Sequence, residues 1–290
     1  MKRKAAKAWR KVHGWVRGPR AAHTRAAGTK APRLQQRPAG TTRIMTYNVH
    51  SCIGTDGKLS VERIAQVIAE CDPDVACLQE LDVGRERTGA IDQALAIAEL
   101  LKMEFHFHPA LTVAEELYGD AVLSRLPLRL MRAAAIPGLA ARPELEPRGA
   151  LWVTLEIDGQ RIQLVNTHLG LVAKERRQQI ESLLGKEWLS HADCVGPTIF
   201  CGDLNALPRS LVCRALCQRF RDAQLGLNGH RPKKTFFSRF PIGRIDHVFV
   251  SQHLEVVAAH VPRSKLIRAA SDHLPLIVDL RLQPLGIQAV

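Results

Sequence analysis

Six short polar strings in this 290-residue chain adjoin apolar runs: Thr46-Tyr-Asn48-Val-His50, Leu78-Gln79-Glu80, Asn166-Thr-His168, Gly202-Asp203-Leu-Asn205, Arg244-Ile-Asp246-His247 and Ser271-Asp272-His273. Any one of them is ordinary turn chemistry, because Asp, Asn and Ser bond to their own backbone where a strand gives way to a loop. Six of them, rich in carboxylate, amide and imidazole, form a constellation at strand ends, where active sites collect.

Carboxylate and amide oxygens suit a hard divalent cation. Mg²⁺ is typically held by one or two carboxylates together with water and substrate phosphate, so Glu80 assisted by Asn48 is enough to sketch a site. The histidines suit proton transfer and stabilisation of charge on a phosphoryl group. Taken singly, Glu80 and Asn48 read as strand-end polar residues and His168 as a hydrogen-bonded structural histidine. Zinc is disfavoured, since no His-x-x-x-His or paired Cys/His spacing occurs. A serine esterase is disfavoured as well, because Gly-x-Ser-x-Gly is absent.

Short apolar runs bounded by Gly, Pro or Asp predict strands over 44–50, 75–79, 121–124, 150–157, 162–168, 198–201, 247–251, 254–260 and 274–282. Helical spacing predicts helices over 61–70, with Ser60 as the N-cap, and over 90–101, 174–189 and 211–219. Asp158-Gly159 predicts a two-residue hairpin turn. Hairpins mixed with strand–helix–strand units predict an α/β protein with two sheets packed face to face and helices outside. One domain is expected from residue 41 to the end, and a monomer.

At 46% hydrophobic and 24% charged residues the chain can bury a full core. No apolar run reaches eighteen residues, the length of a membrane-spanning helix. Seven scattered cysteines, several inside apolar runs, read as reduced, buried residues of a cytoplasmic protein. The net charge of +13 is unevenly spread. Residues 1–40 hold 12 of the 41 Lys and Arg and none of the 28 Asp and Glu, which leaves 29 basic against 28 acidic residues in 41–290. The high pI therefore describes the leader and not the core. Ala5, Ala8, Trp9, Val12 and Val16 recur there at helical spacing, as in an amphipathic helix lying on an anionic membrane or on nucleic acid. A solvated extension and an Arg-rich targeting peptide are the other two readings.

Taken in order, the strings Thr-Tyr-Asn48, Leu-Gln-Glu80, Gly119-Asp120-Ala-Val-Leu-Ser-Arg, Asn-Thr-His168-Leu, Gly-Asp203-Leu-Asn205, Arg-Ile-Asp246-His and Ser-Asp272-His273 resemble the endonuclease/exonuclease/phosphatase superfamily over residues 43–282. The resemblance implies a four-layer α/β sandwich, two mixed β-sheets flanked by helices, and Mg²⁺-dependent cleavage of a phosphodiester, with Mn²⁺ as a substitute. It implies Glu80 as the main metal ligand, Asn48 beside it and Asp272 on the metal side. Asp203 would activate the attacking water, Asn205 would hold that water or a phosphate oxygen, and Asp246 would orient His273 against the transition state. His168, where abasic-site endonucleases tend to carry Tyr, resembles the deoxyribonuclease and neutral sphingomyelinase-like branch.

One position departs from the pattern. Many members carry Asn where this chain has Asp120, so either a cation such as Arg148 accompanies it or it shapes substrate preference. The implied substrate is a nucleic acid or a phospholipid or small phosphodiester, and a near-neutral core gives no general support for gripping long DNA. A catalytically silent binding or scaffold protein of the same fold is the alternative, which the full set of acidic and imidazole residues argues against.

Overall fold

The computed structural model describes residues 37–283. The three readings of the basic leader concern residues 1–40, of which 1–36 lie outside that range, as do residues 284–290. Twelve strands form two sheets of six. The first has the order β11 (Leu254–His260), β12 (Leu276–Leu282), β1 (Thr42–Asn48), β2 (Val75–Val83), β4 (Glu116–Ser124), β3 (Glu104–Val113). The second runs β5 (Leu128–Ile136), β6 (Arg148–Ile157), β7 (Gln160–His168), β8 (Thr198–Asp203), β10 (Asp246–Val250), β9 (Arg221–Asp222).

The sheets follow one plan. Each has a single parallel pair at its centre, β1 with β2 and β7 with β8, and antiparallel neighbours on both sides. Between the sheets Ile44, Val75, Cys77 and Val122 pack on Leu151, Leu164, Ile199 and Val248. The outer face of the first sheet is covered by α1 (Val61–Cys71), α2 (Gln93–Leu101) and α5 (Lys265–Ala270), and that of the second by α3 (Ala173–Leu184) and α4 (Leu211–Cys217). The chain is thus a four-layer α/β sandwich whose central strands are buried on both faces, which is why they read as short continuous apolar runs.

Local chemistry sets the element ends. The hydroxyls of Ser60, Ser210 and Ser264 and the carboxylate of Asp92 each accept from the backbone N–H three residues on, capping α1, α4, α5 and α2. Asp158 and Gly159 take left-handed φ values of 50° and 73° in the turn joining β6 to β7. The helix expected over 174–189 stops at Leu184, because Gly185 caps it in an extended conformation. Three strands and one α-helix escape the sequence pattern, and one of those strands, β9, has only two residues. β3 and β5 lie at sheet edges and carry His106, His108, Pro109, Arg129 and Arg132 among their apolar residues, with a bulge in each. The helix, α5, has only six residues.

All seven cysteines are free, and six are buried. Among the described residues no helix is long and apolar enough to cross a membrane.

Candidate active site

The two parallel pairs end side by side. Asn48 and Glu80 sit at or near the carboxyl ends of β1 and β2, while His168 and Asp203 close β7 and β8. Asp246 opens β10 directly opposite Asp203, and Asp272 and His273 lie in the turn leading to β12. Crevices at the carboxyl ends of parallel strands are where open α/β sheets bind ligands. Here two such ends share one cleft of about 380 Å³, in the size range of small-ligand sites. Glu80, His168, Asp203, Asn205, Asp272 and His273 line it, with Asn48 and Asp246 buried immediately behind.

Hydrogen bonds between the sheets fix this arrangement. Gln79 of the first sheet donates to Asn166 Oδ1 of the second (2.8 Å), and Asn166 Nδ2 returns bonds to the carbonyls of Leu78 (3.2 Å) and Ala121 (3.0 Å). Asn48 Nδ2 donates to Glu80 Oε1 (2.8 Å) and reaches across to Asp203 Oδ2 (3.1 Å). His273 Nδ1 meets Asp246 at 3.0 Å, again from one sheet to the other. Within the second sheet Gly202 lets β8 lie close against β7: a Cβ there would stand 1.8 Å from the Thr167 carbonyl oxygen, and its φ of +141° suits glycine alone.

Asp203 is the hub. Besides Asn48, its Oδ2 lies 3.5 Å from His168 Nε2 and 3.6 Å from His273 Nε2, and its Oδ1 accepts from the Asn205 N–H (2.9 Å). Burial first, and then the Asp246 charge, push its carboxyl up to about 7, against the pull of His273 and the two hydrogen bonds. Burial works against a charge on His273, but Asp246 and Asp203 outweigh it and push the imidazole up to about 10. An acid poised near neutrality thus faces an imidazolium. His168 is the opposite case. Burial, Arg148 and His273 hold it well below the ordinary histidine value, so it is neutral.

Backbone strain places the acids. β2 bulges between Leu78 and Leu81, setting Gln79 and Glu80 against the single residue Asp120 of β4. Glu80 takes a left-handed φ of 63°, and Asn205, just past β8, one of 46°. Such conformations persist only where the surroundings impose them. Asp120 is buried, and its carboxyl is pushed up to about 8, by burial first and by Glu80 and Asp203 further on, with Arg148 opposing. Arg148 is a neighbouring charge to Asp120, not its hydrogen-bond partner: its Nη1 contacts Glu146 Oε1 (2.8 Å) and His168 Nδ1 (2.9 Å).

Crowded acids of this kind fit a divalent cation, which offsets the burial and, after it, the like-charge repulsion that raise the carboxyls of Asp120 and Asp203. Glu80 offers a carboxylate at the cleft surface, and Asn48 Oδ1 accepts only from the His50 N–H (3.0 Å), which leaves it a free lone pair. Asp203, Asp246 and His273 also bring ligand-type atoms within 4.8 Å of one another. A His273 held protonated by two carboxylates has no lone pair to offer, so the Glu80 side suits a cation better.

The sequence reading assigned no role to several wall residues. Arg87, Tyr118, Glu146, Arg148, Leu171 and Phe236 all line the cleft. Arg148 was legible only as a cation near Asp120; its contact with His168 depends on the β6–β7 pairing. The Phe236 ring packs on His273 with centroids 4.7 Å apart, and no motif in the sequence marks it.

Fold and cleft together define a two-sheet α/β protein with an acid- and histidine-rich site. Residues 45–273 match the Endonuclease/Exonuclease/phosphatase family, and the chain belongs to it. Members of this family hydrolyse phosphodiesters or phosphate esters. Over 252 residues the chain is 23% identical to YbhP of Escherichia coli K12, itself uncharacterized, covering 83% of this chain and 96% of that one. An endonuclease/exonuclease/phosphatase from Beutenbergia cavernae is similar at 26% identity and a TM-score of 0.64, over 83% of this chain and 72% of that one. The catalytic domain of human Nocturnin shares the fold at 24% identity and a TM-score of 0.66, over 88% and 100%.

Proposed function

We propose that the cleft hydrolyses a phosphodiester with the help of Mg²⁺ or Mn²⁺. One observation carries this reading: Asp203 stands between Asn48, which ties it to Glu80, and an imidazole held by Asp246. Glu80 and Asn48 would hold the cation, with Asp272, which also lines the cleft, as a further carboxylate on the metal side. The cation, when bound, neutralises charge on the phosphoryl oxygens and positions the substrate.

The chain's own groups supply the rest. Asp203 takes a proton from the attacking water, a task for which a carboxylate raised toward neutrality is suited. Asn205 fixes the side of approach, since its backbone and amide are tied to Asp203 and to the Leu169 carbonyl (2.9 Å). His273 presents an N–H to the charge that grows on the phosphoryl group, and Asp246 keeps its ring oriented. Neutral His168, held between Arg148 and the Asn205 amide (3.1 Å), would be a second polar contact for the phosphoryl group. The nearly balanced charge of residues 41–290 gives a lipid-like or small phosphodiester equal standing with nucleic acid.

The test is turnover of bis-p-nitrophenyl phosphate, plasmid DNA, sphingomyelin, phosphatidylinositol phosphates and cardiolipin with Mg²⁺, with Mn²⁺ and with chelator. Cation-dependent hydrolysis of at least one is expected. No turnover anywhere in the panel would leave the silent scaffold as the better reading.

A further inference from the structure

From Ala223 to Ile245 the chain carries five Lys and Arg and no Asp or Glu. Within this stretch a loop closes where Phe236 bonds to Gly243, and its tip is Phe237-Ser-Arg-Phe-Pro-Ile242. The tip is firmly tied to the protein. Ser238 donates through its backbone to the Asp272 carbonyl (2.6 Å) and through its hydroxyl to the Arg268 carbonyl (3.0 Å). Arg239 grips the hydroxyl and the carbonyl of Thr55, both at 3.1 Å.

Yet this anchored tip holds its apolar groups in water. Phe240 is 80% exposed, Ile242 66% and Phe237 47%, and Leu171 on the cleft wall is 71% exposed. Isolated exposed apolar residues are unremarkable, but three on one six-residue tip mark an interaction surface. Lys233 and Lys234 lead into the neck and are exposed, as is Arg268 on the adjoining helix. The nearby Asp56 is already paired with Arg63 at 2.9 Å. Phe236, at the neck, is itself part of the cleft wall, so whatever the tip touches lies beside the cleft mouth.

We infer that the 236–242 loop docks the cleft onto an anionic phospholipid surface, which makes the substrate a phospholipid-class phosphodiester presented at that surface. Apolar side chains enter the headgroup boundary while flanking cations meet anionic lipid. A single-stranded nucleic acid fits less well. Base-stacking platforms need successive open ring faces, whereas Phe240 alone on this tip offers one: the Phe237 ring already lies 3.8 Å from Phe236, and Ile242, Pro241 and Leu171 have no such face. The substrate part of this inference rests on the proposed phosphodiesterase reading; the docking part does not.

The experiment uses the full chain with phosphatidylcholine vesicles, with and without phosphatidylglycerol. A Phe240→Ser/Ile242→Ser double variant should partition to mixed vesicles about tenfold more weakly, the effect of one large apolar side chain losing its partly buried site. Its turnover of phospholipid in vesicles should fall likewise, while soluble bis-p-nitrophenyl phosphate is hydrolysed as before. In Phe240→Trp, emission should shift to the blue and be quenched by brominated lipid, a signal that binding through the leader alone would not give. Unchanged partition in the double variant, or no quenching of Phe240→Trp, overturns the docking surface. Loss of single-stranded oligonucleotide binding with vesicle binding intact would overturn it in favour of nucleic acid. If the wild type docks but hydrolyses nothing, the phosphodiesterase reading fails and the surface stands.

Discussion

The guanidinium of Arg148 stands 2.9 Å from Nδ1 of His168. A guanidinium only donates, so Nδ1 accepts, which puts the one proton of the neutral ring on Nε2, 3.1 Å from the Asn205 amide nitrogen and 3.5 Å from Asp203 Oδ2. Arg148 thereby decides which nitrogen of His168 points a hydrogen into the cleft. Arg148→Met should leave the ring free to exchange tautomers and raise its pKa, since a positive neighbour is gone. Two-dimensional ¹⁵N NMR should show one tautomer in the wild type and a mixture in the variant, with kcat lowered about tenfold or more. A single unchanged tautomer in the variant would remove Arg148 from this role.

Glu80 is expected to couple the cation to stability. An ion that binds only the folded state raises Tm by mass action, so saturating Mg²⁺ should raise that of the wild type by about 5 °C. Glu80→Ala should lose both this shift and activity at limiting Mg²⁺, because Asn48 alone cannot hold a reluctantly dehydrating ion. An equal Mg²⁺-induced shift in the variant, read by calorimetry, would place the cation elsewhere.

Asp203 and His273 should act on the chemical step. Asp203→Asn and His273→Ala are each expected to lower kcat about 10²-fold or more with a smaller change in KM. Steady-state kinetics on bis-p-nitrophenyl phosphate separates the two parameters. A raised KM with kcat intact would make them substrate contacts only.

Asp120 gives a stability signature with a definite sign. Its carboxyl titrates near its ordinary value in the unfolded chain and at about 8 in the fold, so between those values the folded state holds the extra proton. Stability from this group therefore falls as pH rises from about 4 to about 8. Asp120→Asn removes the loss, so metal-free variant and wild type should be equally stable near pH 4 and diverge above it by about 1 kcal/mol per pH unit until about pH 8. Urea titrations across that range read the gap, and a constant difference would refute the assignment.

The central strands β1, β2, β7 and β8 were legible because burial on both faces leaves uninterrupted apolar runs, and their polar ends announced Asn48, Glu80, His168 and Asp203. Edge strands β3 and β5 were hidden because they face solvent on one side, so His and Arg interrupt their pattern. The bulge that sets Glu80 against Asp120 has no sequence mark, since both residues lie in strands and only the pairing register shows the extra residue. Nor could the chain announce that Ser238 and Arg239 pin an apolar tip beside the cleft, because their partners, Asp272, Arg268 and Thr55, are remote in sequence.

The bonds Asn48–Asp203, His273–Asp246 and Gln79–Asn166 all run from one sheet to the other, so the site behaves as a vernier whose two scales are the sheets themselves. A slip of one sheet along the other by 1 Å would part Asp203 from Asn48 and His273 while each sheet kept its own ladder of hydrogen bonds. The proposed turnover should therefore report on sliding of the two halves before any strand melts, and mild urea should silence it below the concentration at which circular dichroism changes.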